Sequence, residues 1–149
     1  MGGLFGSSPF VDSQLGELRR SRRLWRGSLS LAEVSVPLAL SGTRTEPDSA
    51  AIDLARTIPA SFPSWRPVIE RALFEHYEPY ADADEEVPGI ADPAGVWPHV
   101  QPRFVSVTPL DGQPVVEIGY DVAWDEEHTL GARLRDGQLL ELSGSVLAP

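Results

Sequence analysis

Residues 103–146 constrain the fold more than any other part of the chain. "RFVSVTPL" and "PVVEIGYDVAW" are apolar-alternating runs on either side of Asp111 and Gly112, and "HTLGARL" and "LLELSGSV" repeat the arrangement around Asp136 and Gly137. Alternation puts successive side chains on opposite faces of a strand. An Asp-Gly pair between two such runs marks a tight hairpin, because both turn residues need a positive φ. The first turn pairs Val107 with Val116, Val105 with Ile118 and Phe104 with Gly119. Apolar side chains then meet on one face, and an aromatic ring covers the residue that has no side chain. The segment predicts a four-stranded meander.

Upstream, residues 15–18 and 24–31 read as strands joined across "RRSRR", and "VSVPLAL", residues 34–40, reads as a third. Pro37 lacks a ladder donor, which assigns that strand to an edge or a bulge. The period then changes. "EPDSAAIDLARTI" has Pro47 near a helix start and acids in the first turn, where both are favourable, and Pro59 stops it. In "SWRPVIERALFEHYEPY", Trp65, Ile69, Ala72, Leu73, His76 and Tyr77 recur at steps of three and four, the apolar face of a second helix that ends or kinks at Pro79. Residues 81–95 are acidic and broken by Pro and Gly, a solvated loop. The expected fold class is α+β: an antiparallel sheet of three N-terminal and about four C-terminal strands, with two helices packed on one face. The 149 residues fit one domain, read as a flexible arm over residues 1–10 and a domain over 11–149.

The charge excludes some classes of function. Twelve basic residues, all Arg, stand against 22 acidic ones, for a net charge of −10. Such a chain is repelled by phosphate backbones, so no nucleic-acid partner is expected. The absence of Cys removes disulfides and thiolate metal sites. The first ten residues lack the basic and long apolar regions of a signal peptide, and no apolar stretch reaches membrane-span length. A cytoplasmic protein without a membrane partner is expected, and the richness in Arg, Ala, Pro and Gly points to a bacterial genome.

"YDVAWDEEHTLG", residues 120–131, concentrates the ionisable groups. A loop of Asp125, Glu126 and Glu127 would pair Trp124 with His128, Val122 with Leu130, Tyr120 with Ala132 and Ile118 with Leu134. On the other face Glu117 would meet Arg135, with Asp121 diagonal to Arg133. This register puts the acids at a solvated tip and His128 on the apolar face. One His without thiolates is thin for zinc, and the turn lacks the spaced acids of a calcium loop, so neither metal nor cofactor is expected. Asp125, Glu126, Glu127 and His128 are therefore read as available to a protein partner. "RRSRRLWR", residues 19–26, is the basic counterpart. Arg19, Arg22, Arg23 and Trp25 form a second docking candidate, a soluble hairpin turn, or a group that pairs internally with acids 82–86. His76, His99 and His128 could build a three-His site, although nothing in their spacing requires them to meet. There is no nucleophile elbow, no phosphate loop and no His-Glu-x-x-His, so no catalytic residue is assigned.

The segment "WDEEHTLGARLRDGQLLELSGSV", with weaker support from "LGEL" at 15–18 and "ALFEHYEPY" at 72–80, resembles the closing part of an uncharacterised bacterial domain family. Its members end in a strand, an Asp-x-Glu-His-x-Leu-Gly turn and a final hairpin, and some are distantly similar to immunity-type modules of toxin systems. The resemblance implies the same fold and carries over no activity; together with the strong negative charge and the lack of a complete catalytic motif, it leads to the expectation of a non-enzymatic, protein-binding role. The alternative is a small metal-dependent or acid/base enzyme using turn 125–128.

Overall fold

The computed structural model describes residues 8–84 and 86–149. Eight strands form one sheet in sequence order: β1 (Phe10–Asp12), β2 (Gly16–Ser21), β3 (Leu24–Leu31), β4 (Val34–Leu40), β5 (Val100–Leu110), β6 (Gln113–Val122), β7 (Asp125–Arg135) and β8 (Gln138–Val146). All neighbours are antiparallel except β4 and β5, which run parallel. Parallel neighbours need a crossover, supplied here by a helix, α1 (Ser49–Ala83), and a short 3-10 helix, η1 (Pro93–His99). The fold is α+β, with three differences from the expectation. There are four N-terminal strands, one parallel pair, and one long helix in place of two.

The fourth N-terminal strand, β1, begins inside the stretch read as an arm and pairs Phe10 with Leu18. Residues 1–7, the rest of that arm, lie outside the described residues. β4 is interior, not an edge. Pro37 is tolerated because it faces Ser28 on β3 and precedes the parallel ladder, which starts at Leu38. The hairpins are tight: Arg22 and Arg23, Ala32 and Glu33, Asp111 and Gly112, and Asp136 and Gly137 all have positive φ, between 46° and 79°. Mirror-image turns of this kind match the strand twist. The β5–β6 pairs expected from the sequence are all present.

α1 is 35 residues long, about 52 Å. It runs through Pro59, Pro63, Pro67 and Pro79, so neither Pro59 nor Pro79 ends a helix as the sequence predicts. All four are exposed. Each removes one helical N–H on the solvent side, where water can satisfy the freed carbonyl. The apolar face, with Ile58, Phe62, Trp65, Ile69, Leu73 and Tyr77 buried, stays unbroken, and burial on that scale outweighs the proline cost. At the start of the helix, Asp48 accepts from the Ser41 hydroxyl and its side chain caps no N–H. No described helix is long and apolar enough to cross a membrane.

The core lies between α1 and one sheet face. The other face also buries Ala39, Phe104, Ser106 and Val115. The sheet coils: Arg26 on β3 donates to the Pro149 carbonyl at 2.7 Å. Five strand spacings on a flat sheet are about 24 Å, and the three residues after β8 reach only about 10 Å.

The second half of the acidic segment, from Pro88 to Gly95, is tied to the fold by hydrogen bonds. Tyr77 Oη donates to the Pro88 carbonyl at 2.6 Å and accepts from the Ile90 N–H at 3.0 Å, and Asp92 accepts from the N–H of Gly95 in η1. In the core, the Tyr120 hydroxyl is buried without a partner among the described residues, and burial pushes its phenol pKa well up. Tyr120→Phe is therefore expected to leave stability within about 0.5 kcal/mol of the parent or to raise it. Denaturant unfolding checks this, and a loss above about 1 kcal/mol would contradict an unpartnered hydroxyl.

Candidate functional site

The β6–β7 connection is built differently from the expected loop. Val122 pairs with Asp125 across a two-residue turn of Ala123 and Trp124, and Asp121 then pairs with Thr129. Residues 126–128 bulge out of the ladder. Deeper in the hairpin the register is Tyr120 to Leu130, Ile118 to Ala132 and Val116 to Leu134, two residues away from the expected pairing. A two-residue shift keeps every side chain on its face, so the buried set is the same but the partners change. Glu117 pairs with Arg133 at 2.7 Å, not with Arg135, and Asp121 pairs with Arg103. The bulge is favoured because it buries Trp124 under α1, at 3% exposure, where a longer loop would have left it at the sheet end.

The bulge decides where the ionisable groups point. Asp125 is buried, not at an exposed tip. Its carboxylate accepts from the Tyr80 hydroxyl at 2.8 Å, lies 3.0 Å from Nδ1 of His128 through each oxygen, and accepts weakly from the Glu127 N–H. Glu126, Glu127 and His128 are exposed. His128 thus leaves the apolar face to which the sequence register assigned it. His76, one helical turn before Tyr80, stacks on the Tyr80 ring at 5.3 Å and accepts from the Trp124 indole N–H through Nδ1 at 3.0 Å. That bond requires neutral His76 with its proton on Nε2.

The electrostatics follow from these contacts. Burial alone would raise the Asp125 pKa, but the hydrogen bonds from Tyr80 and His128 outweigh it and hold the carboxyl below its ordinary value. Tyr80 is pushed up, chiefly because its hydroxyl donates to that carboxylate. His76 is held below its ordinary value by burial; Asp125 opposes this and His128 reinforces it. Around this knot a cleft of about 500 Å³ opens, with Asp84, Glu86, Glu126 and Glu127 exposed along it.

Two of the three His residues therefore lie near Asp125: His128 is hydrogen-bonded to it, and His76 packs on Tyr80, which donates to Asp125. His99 does not join them: it closes η1, and its carbonyl accepts from the Ala123 N–H at 2.9 Å. Among the described residues no three His, Asp or Glu side chains are placed to hold a metal ion. An Asp that orients an exposed His is the geometry of a general base; among the described residues that line the cleft there is no Ser, Thr or Cys, so the group such a base could activate there is a water or a substrate's own proton.

The basic stretch divides. Arg22 and Arg23 form the exposed β2–β3 turn, and Arg19 pairs with Glu17. Trp25 is core, not surface. It is 1% exposed, donates to the Thr43 carbonyl at 2.9 Å and packs edge-on against Phe10. No ion pair joins these arginines to acids 82–86 among the described residues. Tyr80 was missed as a member of the site, and His76 entered only as part of a possible three-His cluster. Their four-residue spacing in "FEHYEPY" puts them on one helix face, but nothing local says that β7 lies opposite.

No curated protein and no solved structure matches the chain. A family model does match, over residues 15–147, from the second strand to one residue beyond the last, and so covers the whole of the site just described. On that match the chain belongs to the domain of unknown function DUF6985.

Proposed function

We propose that this is a bacterial, cytoplasmic protein-binding module of the immunity type, and that it docks a basic segment of its partner in the cleft beside β7. The observation that carries this reading is the position of Glu126 and Glu127. They are bulged out and exposed beside Asp84 and Glu86, on a base locked by the Asp125, Tyr80 and His128 hydrogen bonds. A rigid base with a like-charged rim speeds association with a partner of opposite sign. The net charge of −10 acts in the same direction.

The test is capture from the source organism with the parent chain and with the Glu126→Gln/Glu127→Gln variant, followed by cross-linking. The double variant should keep its stability to within about 0.5 kcal/mol, because exposed charges contribute little. The parent should retain a basic protein that salt releases, with cross-links at the cleft, and the variant should bind it more slowly. A partner indifferent to the two substitutions, or cross-linked elsewhere, overturns the reading. The second reading, an acid/base enzyme, is favoured by one observation, the Asp125–His128 pair. Turnover lost in Asp125→Asn with folding intact would move it to first place.

A further inference from the structure

A different groove, one strand length from the acidic cleft, lies between the middle of α1 and the tips of the two C-terminal hairpins. Its volume is about 460 Å³, within the range of small-molecule sites. We propose that it binds a small carboxylic acid with an apolar body.

The first observation concerns the four tryptophans. Three indole N–H groups are satisfied inside the protein: Trp25 donates to the Thr43 carbonyl, Trp97 to Glu70 and Trp124 to His76, at 2.9, 2.9 and 3.0 Å. Trp65 is only 6% exposed, yet its N–H has no acceptor among the described residues. Its Nε1 lies beside Gly137, where an added Cβ would sit 4.0 Å away. Gly137 has φ +74°, a turn conformation that favours glycine, so no side chain covers that approach. The buried side-chain donors and acceptors without a partner among the described residues are those of Arg20, Tyr120 and Arg135, so the Trp65 N–H reaches solvent at the groove, and a ligand acceptor arriving over Gly137 would take the place of water there.

The second observation is Arg135, the one cation among the described residues that line the groove. Its Nη2 is anchored on the Leu110 carbonyl at 2.8 Å, and its Nε is buried with no partner among the described residues. Nε is too enclosed for a ligand to reach, but the guanidinium is held in place on Leu110, and Nη1, with no hydrogen bond among the described residues, is left to donate to a carboxylate. The Thr57 and Ser64 hydroxyls on the α1 wall donate back to their own helix, at 2.7 Å each. They have no donor left for a carboxylate, which directs the acid group to the Arg135 side. Leu54, Val116 and Leu134 supply the apolar surface. Asp136 also lines the groove, which disfavours a dianion, so a single carboxylate on a compact hydrocarbon body fits best. On a chain of net charge −10, such binding depends on Arg135.

The experiment is a nitrogen–proton correlation spectrum of the full chain, titrated with 4-methylpentanoate and separately with its uncharged primary amide. One of the four indole N–H peaks should shift saturably with the acid, and it should be the peak missing from Trp65→Phe. The other three should stay in place. Arg135→Gln should weaken the acid by about tenfold or more and remove its preference over the amide. If Trp65→Phe does not fold, Arg135→Gln decides alone, with the three remaining indole peaks reporting an intact fold. No saturable shift at millimolar acid, movement of the other indole peaks instead, equal affinity for acid and amide, or unchanged binding in Arg135→Gln would each overturn the proposal.

Discussion

Trp124→Ala is expected to lower the stability of the protein by about 3–5 kcal/mol, the largest effect of any single substitution at the site. The side chain is 3% exposed in the common core. It meets Tyr77 edge-on at 5.3 Å, lies 6.4 Å from the His76 ring and donates to His76 Nδ1. Truncation would remove the aromatic contacts, leave a cavity under α1 and orphan a half-buried acceptor. Trp124→Phe separates these contributions by keeping a ring and removing the donor, for a loss of about 1–2 kcal/mol. Denaturant unfolding at neutral pH checks both. A loss below about 1 kcal/mol for Trp124→Ala would mean that the turn is not held by the helix. The same bond has a pH signature. His76 titrates below its ordinary 6.5 in the folded chain, chiefly through burial, so the unfolded chain binds the proton first. Stability from this residue is present above 6.5 and declines as the pH falls below it.

Asp12→Ala is expected to cost about 2–3 kcal/mol at neutral pH. The Asp12 side chain is 1% exposed and joins β1 to α1 through Arg56, whose Nε donates to it at 3.0 Å, with a second bond from Nη2. Its other oxygen accepts from the Gln14 and Leu15 N–H groups at 3.0 and 2.9 Å and so shapes the β1–β2 turn. The Arg56 side chain is 38% exposed and can rehydrate, which keeps the cost below that of breaking a fully buried pair. The Arg56 hydrogen bond, opposed by burial, lowers the Asp12 pKa from 3.8 to about 2. A lowered carboxyl pKa stabilises the fold above 3.8, and that contribution is lost as the pH falls from 3.8 towards about 2. The stability gap between parent and variant should therefore narrow over that window. A gap independent of pH would show that Asp12 acts through packing and not through its charge.

The strand faces were legible in the sequence because the period of two is local and survives changes of partner. Val116, Ile118, Tyr120, Val122 and Trp124 are all buried, as their alternation requires. The two Asp-Gly turns were legible because their residue types favour positive φ. The Arg22–Arg23 and Ala32–Glu33 turns adopt the same geometry without those residues, held there by the ladders on either side. The continuation of α1 through Pro59 was not legible, for a related reason. Proline breaks a helix by removing a donor, and whether that matters depends on which face of the helix meets solvent, a tertiary fact.

Within residues 125–128 the division is the same. Composition and spacing announced a concentration of acids next to a histidine and excluded thiolate chemistry. They could not say that the turn would close at Ala123 and Trp124, because the choice between a three-residue loop and a tight turn followed by a bulge rests on whether Trp124 finds a surface to bury against. α1 supplies that surface. It carries His76 and Tyr80 across more than 40 residues of chain to meet Trp124 and Asp125, and so one carboxylate is fixed inside while Glu126 and Glu127 are left outside. Local period and turn chemistry determined the elements and their apolar faces. Only long-range packing, through the free energy of burying one indole, decided which of the ionisable side chains are structural and which face solvent.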